Sequence, residues 1–190
     1  MSSVVQTSVA DSNIDFKKRS PRDLFNKFLS TAQDQMWVDS FEWRPFEDFS
    51  EYRKSMQARP ISRTHSRTHK RATDGTLWVL DVEGFEGASI GVDLEFICER
   101  PILKRPEWLI ERLALRKNPG SAGLLEEWSQ REAAFKALWP NNEKVLLSSF
   151  RRTGQHSLGV DFVTGQQNIQ VKSIVAENWI LSLAWCLDKT

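Results

Sequence analysis

Cysteine is scarce in this chain of 190 residues: there are two, Cys98 and Cys186, far apart and with no CxxC spacing. That usage fits a reducing compartment with buried thiols, and leaves a single disulfide open. Charge of one sign is also missing. The formal net charge is +1, so no global field argues for nucleic acid or a membrane surface. No apolar run approaches the roughly 20 residues that a membrane span needs. The opening MSSVVQTSVADSN has neither a basic region nor an apolar core, and reads as a frayed terminus, not a signal peptide. Gly-rich phosphate loops of the form GxxxxGK[ST] or GxGxxG are absent, as are internal repeats and low-complexity tracts. What remains is the expectation of a soluble, cytoplasmic, globular protein.

Apolar residues make up 40% of the chain, with 8 Trp and 11 Phe, ample for one core of domain size. Residues 1–20 read as flexible and 21–190 as a single domain. Ser20-Pro21 resembles a helix start, with Ser as cap and Pro in the first turn. Leu24, Phe25, Phe28 and Leu29 give that helix an apolar stripe running towards Met36. A second short helix is expected from Pro45 to about Gln57. The basic stretch ARPISRTHSRTHKRATDG, 58–75, reads as a loop with a short strand at 61–65. TLWVLDV and SIGVDLEF then read as strands flanking EGFEG, a connection that suits a hairpin. Helices are expected at RPEWLIERLALRK and at GLLEEWSQREAAFKALWP, the latter ended by Pro140. Strand-like runs follow at KVLLSSF, HSLGVDF, NIQVKSIV and WILSLAWCL. Helices followed by an antiparallel meander predict an α+β fold.

Two features place charge where an apolar face is expected. In GVDLEF, Ile90, Val92, Leu94 and Phe96 share one strand face, so Asp93 and Glu95 share the other, roughly 7 Å apart. Two like charges at that spacing need a positive partner. On a helical wheel of 123–139, Leu124, Trp128, Phe135 and Trp139 fall within roughly 40° of one direction, which predicts the core face. Glu132 lies inside that arc, and Ala133, Ala134, Ala137 and Gln130 take the far side. A carboxylate in an aromatic stripe is costly unless it is paired or coordinates a metal. An ordinary Glu132–Lys136 pair at i, i+4 and a solvated strand face are the simpler readings of each feature alone. Together, three carboxylates converging on a hard divalent cation would satisfy both.

IGVDLE followed about 40 residues later by WSQREAAFK resembles the paired signature of the 4′-phosphopantetheinyl transferases. That signature is G-[VI]-D-x-E, then [WF]-[SCTA]-x-K-E-[AS]-x-x-K. Every position agrees except Arg131, where the family has Lys. The Asp-x-Glu form and the Trp-Ser opening resemble the surfactin-synthetase-type branch. The resemblance implies that fold: antiparallel sheets each packed on a helix, in a pseudo-twofold arrangement. The first half, about 21–88, would be shortened, and 89–190 would carry the catalytic motifs. It implies Mg²⁺-dependent transfer of 4′-phosphopantetheine from coenzyme A to a serine of an apo acyl or peptidyl carrier protein, releasing 3′,5′-ADP. Asp93, Glu95 and Glu132 would ligate Mg²⁺, which Mn²⁺ would partly replace. Glu132 would help deprotonate the serine, and Lys136 would contact the phosphates and stabilise the leaving group. Arg131 would contact phosphate, with a planar fork where the family presents a point charge. ARP at 58–60 resembles the family's G-K-P element, which would set Arg59 near the nucleotide. RTHS at 63–66 resembles its S-H-S segment and makes His65 a phosphate contact, with His69 a competing assignment.

Fatty-acid, polyketide and nonribosomal-peptide carriers all offer such a serine, and the sequence does not choose among them. A monomer is expected over a homo-oligomer. The alternative within the same fold is a catalytically silent binder of coenzyme A or of a carrier protein. A nucleic-acid reading of Arg63, Arg67, Lys70 and Arg71 is weaker, because no aromatic residue interleaves them; a solvated loop is the simpler reading of that patch, and a coenzyme A phosphate pocket its better functional use. A zinc reading of His65 and His69 is weak too, because no Glu follows the first His and no Cys is near.

Overall fold

The first helix begins where the sequence places it. Ser20 Oγ accepts the Asp23 amide at 3.2 Å and Pro21 occupies the first turn, so the exposed N-terminal donors meet a side-chain acceptor. The computed structural model describes residues 19–58, 62, 64–97, 105–115, 119–138, 145–163 and 165–187. The N-terminal segment before residue 19, Arg59, Cys98 and Trp139 therefore lie outside the described residues. In chain order the elements are α1 (Pro21–Asp34), β1 (Ser40–Phe46), α2 (Phe49–Ala58), β2 (His65–Arg71), β3 (Leu77–Glu83) and β4 (Ala88–Phe96). There follow α3 (Pro106–Arg112), α4 (Gly120–Ala137), a 3₁₀ turn at Leu147–Ser149, β5 (Arg151–Gly154), β6 (Ser157–Phe162), β7 (Gly165–Ala176) and β8 (Trp179–Leu187).

The fold is α+β, with two antiparallel sheets. A three-stranded sheet runs β1-β3-β2 and a five-stranded sheet runs β4-β8-β7-β6-β5. The main core lies where α1, through Phe25 and Leu29, meets Leu80 and Val82 of the first sheet and Val92 and Leu94 of the second. α2 covers the other face of the first sheet, with Tyr52 on Leu77 and Val79. α4 covers the other face of the second, through Ala133, Ala134 and Ala137. Cys186 is buried, its thiol 3.8 Å from the Ala137 carbonyl oxygen. No described helix is long and apolar enough to cross a membrane.

Several elements differ from expectation. β3 and β4 do not form a hairpin: β1 and β2 occupy both edges of β3, and β4 pairs with β8 instead. Pro45 belongs to β1, and the second helix starts at Phe49. α1 stops at Asp34, leaving Met36 exposed with a positive φ of 58°. Around KVLLSSF the chain makes a 3₁₀ turn, and the edge strand β5 follows it. The basic stretch expected to be a loop supplies β2, a full strand whose residues 65–68 are buried.

The largest correction concerns α4. Leu124 of the aromatic arc is buried as expected, against Leu109 and Leu113, but the face packed on the second sheet is Ala133, Ala134 and Ala137, on the opposite side with the buried Gln130. Trp128, Glu132 and Phe135 are only half-buried. The cause is closeness. A Cβ added at Gly91 of β4 would stand 1.9 Å from the Ala133 carbonyl oxygen. Only glycine facing alanine allows the helix so near the sheet, so the large side chains spread to the rim.

Candidate functional site

β2 is the edge of the first sheet and β4 the edge of the second. Where they meet, the Val92 amide donates to Ser66 Oγ and the Leu94 amide to Thr68 Oγ1, both at 3.0 Å. Side-chain hydroxyls thus take the place of a ladder along the outer edge of β4, where bare amides would be costly. Along this seam opens a cavity of about 460 Å³, large enough for a small-molecule ligand.

Four groups seen in the sequence line that cavity: Asp93 and Glu95 from β4, Glu132 and Lys136 from α4. The strand alternation holds. Val92 and Leu94 enter the main core, and Asp93 and Glu95 turn towards the cavity although they are only 7% and 2% exposed. Among the described residues each meets a lysine. Lys70 Nζ lies 2.6 Å from Glu95 Oε2, and Lys136 Nζ lies 2.9 Å from Asp93 Oδ1. Lys136 also donates to the Val92 carbonyl at 2.8 Å, so one of its three N–H bonds is left for a ligand. Asp93 Oδ2 is buried with no hydrogen-bond partner. Among the described residues no three His, Cys, Asp or Glu side chains are gathered into a group ready to hold a metal ion.

β2 adds Arg67, His69 and Lys70, and α2 adds Tyr52. Tyr52 Oη and His69 Nδ1 are 2.9 Å apart. Burial, chiefly, raises the phenol's pKa. The imidazole's is lowered, first by burial and then by the positive charges of Lys136 and Lys70. Both shifts favour a phenol donating to a neutral imidazole, which leaves Nε2 carrying the proton as a donor. Arg67 is 5% exposed. It donates through Nε to Asp81 at 2.6 Å, while its Nη2 is buried without a partner.

His65 is placed elsewhere. Its Nε2 lies 2.8 Å from Asp81 Oδ1, and it does not line the cavity. Asp81 also receives Arg67 and Arg44. Burial pushes the Asp81 pKa up, but the hydrogen bonds from His65, Arg67 and Arg44 outweigh it and hold the carboxyl well below the usual range. Of the two candidate histidines, the one at the cavity is His69.

Arg131 also departs from expectation. A neighbouring helix position is turned by about 100°, so it cannot share the direction of Glu132. Its Nη1 donates to the Leu147 carbonyl at 2.8 Å, and it lines a different cavity.

Of the cavity residues, Tyr52 is not a candidate from sequence, and Arg67 and Lys70 are legible there only as members of a basic patch placed on a loop. A usable signal was present. Asp74-Gly75 sits directly before the strand LWVLDV, and Gly75 has φ of 89°. An Asp-Gly pair there marks a hairpin, and a hairpin requires a strand before it. In HSRTHKR, alternation would then have sent Ser66, Thr68 and Lys70 to one face.

No known family model matches this chain, and no curated protein matches it.

Proposed function

We propose that this chain transfers the 4′-phosphopantetheine group of coenzyme A to a serine of an apo acyl or peptidyl carrier protein. The observation that carries this reading is the meeting of two motifs in one cavity. Asp93 and Glu95 come from GVDLEF, Glu132 and Lys136 from WSQREAAFK, and all four line the same space.

In this reading the serine Oγ attacks the phosphorus attached to pantetheine. The new O–P bond replaces the bond to the departing 3′,5′-ADP, and the serine proton passes to the Glu132 carboxylate, directly or through water. Lys136, with one N–H left over, meets charge on the pyrophosphate. Arg67 Nη2, Lys70 and the His69 Nε2–H supply further donors for phosphate oxygens.

The acids suit Mg²⁺ in chemistry: all are oxygen donors, and the buried Asp93 Oδ2 has no hydrogen-bond partner. Mg²⁺ commonly takes one or two carboxylates and completes its shell with substrate phosphate and water, so a preformed cage is not required. Asp93, Glu95 and Glu132 are the residues that would hold it. When bound it would neutralise charge on the pyrophosphate.

A second reading is favoured by the Lys70–Glu95 and Lys136–Asp93 pairs, which already neutralise two of the acids. The chain would then bind coenzyme A or a carrier without transfer.

Thermal melting tests ligand choice. Coenzyme A and Mg²⁺ together are expected to raise Tm more than the sum of each alone. Equal melting temperatures with and without both ligands would remove coenzyme A from either reading.

A further inference from the structure

A second cavity, of about 640 Å³, lies beside α4 and is walled by Arg131, Arg151 and Arg152 with Ser148, Phe150 and Leu115. Arg131 is only 4% exposed. Its Nη1 is satisfied by the Leu147 carbonyl, but its Nε is buried with no hydrogen-bond partner, 3.5 Å from Glu127 Oε2. Glu127 is shared, because Arg152 also pairs with it. Arg151 meets Asp161 at 3.6 Å, with both side chains largely exposed, a pairing of little strength. None of the residues walling the cavity is acidic. A desolvated guanidinium with its buried Nε–H unmatched and a shared counterion is a costly arrangement, unless an acceptor enters.

We propose that this cavity binds a small oxyanion, a phosphate or carboxylate carrying an apolar body. The anionic head would lie between Arg131, Arg151 and Ser148, and the body would lie against Phe150 and Leu115. Burial, before any other influence, lowers the Arg131 pKa, and the Glu127 carboxylate offsets that only in part, in keeping with a cation short of solvent. The site is independent of the transfer reaction proposed above, since its residues are separate from those of the seam cavity.

The test is a nitrogen-15 NMR titration of the full chain with phenyl phosphate and with benzoate, at ionic strength held constant with chloride. The Arg131 Nε–H signal, identified by its loss in Arg131→Lys, reports the site. A saturable shift is expected with at least one probe, and the tighter probe tells phosphate from carboxylate. Arg151→Gln, an exposed change with little risk to folding, is expected to weaken binding about tenfold. Lys136→Gln, which alters only the seam cavity, is expected to leave it within about twofold. Shifts that fail to saturate with either probe would overturn the proposal. So would unchanged affinity in Arg151→Gln.

Discussion

β2 and β4 lie against each other along the seam, and their sequences could hardly differ more: HSRTHKR against ASIGVDLEF. β4 enters the main core through Ile90, Val92, Leu94 and Phe96, and its other face carries the acids of the cavity. β2 has no large apolar side chain, yet His65, Ser66, Arg67 and Thr68 are all buried. One strand is held by area removed from water. The other is held by polar contacts: Asp81 on one face, and the outer edge of β4 on the other. Since the loss of a buried polar partner strands the group left behind, whereas the loss of apolar area does not, the two strands should fail in different ways.

The largest effect is expected at Asp81. Asp81→Ala leaves Arg67, Arg44 and His65 facing each other without their shared anion, and should cost about 3–5 kcal/mol, read from the urea midpoint. A loss under about 1 kcal/mol would mean that charge does not hold β2. The same residue sets an acid limb. The unfolded carboxyl titrates near 3.8, and the native one lies well below it. As pH falls past the ordinary value, the unfolded chain takes the proton first. Asp81's stabilisation is thus full above about pH 4 and is lost as pH falls through the native pKa. In Asp81→Asn that part of the acid limb should flatten.

Gly91→Ala probes the apolar strand, and about 3 kcal/mol is expected. Ala133→Gly should not rescue it, because the close atom is the Ala133 backbone oxygen. Rescue would show that the contact is made by side chains. Thr68→Val is a smaller change that leaves the buried Leu94 amide without its acceptor, at a cost of about 1–3 kcal/mol. Thr68→Ser should recover most of that. Smallest for stability is His69→Ala, within about 0.5 kcal/mol, with coenzyme A binding weakened. His65→Ala should show the reverse: a destabilised fold with little change in ligand affinity. Equal effects at the two histidines would erase the distinction between a strand residue facing Asp81 and one facing the cavity.

β4 was legible in sequence because its period-2 apolar pattern is how burial usually announces itself. Glu132 and Lys136 were legible as a motif, but the aromatic arc of α4 was only a partial guide to burial: Leu124 is fully buried, Trp128 and Phe135 are half-buried, and the alanines opposite them pack on the sheet. Side-chain size there misleads: the helix comes closest to the sheet where small residues meet, at Gly91 and Ala133, with no room for a Cβ at Gly91. β2 was not legible through hydrophobicity, because its burial depends on Asp81, which stands 14 residues from Arg67 in the chain. The hairpin signal of Asp74-Gly75 is local and names the strand without naming its burial. Arg131 shows a limit of motif reading: adjacent letters in WSQREAAFK belong to different walls of α4.

The most direct measurement is incubation of the full chain with coenzyme A, Mg²⁺ and a panel of apo carrier proteins of fatty-acid, polyketide and peptide types, read by intact mass. At least one carrier is expected to gain a single phosphopantetheine on serine with release of 3′,5′-ADP. The gain should be abolished by chelation and by Glu132→Gln, and partly restored by Mn²⁺. Every carrier remaining unmodified while coenzyme A stays bound to the folded chain would contradict transfer, and would leave the seam as a binding site alone.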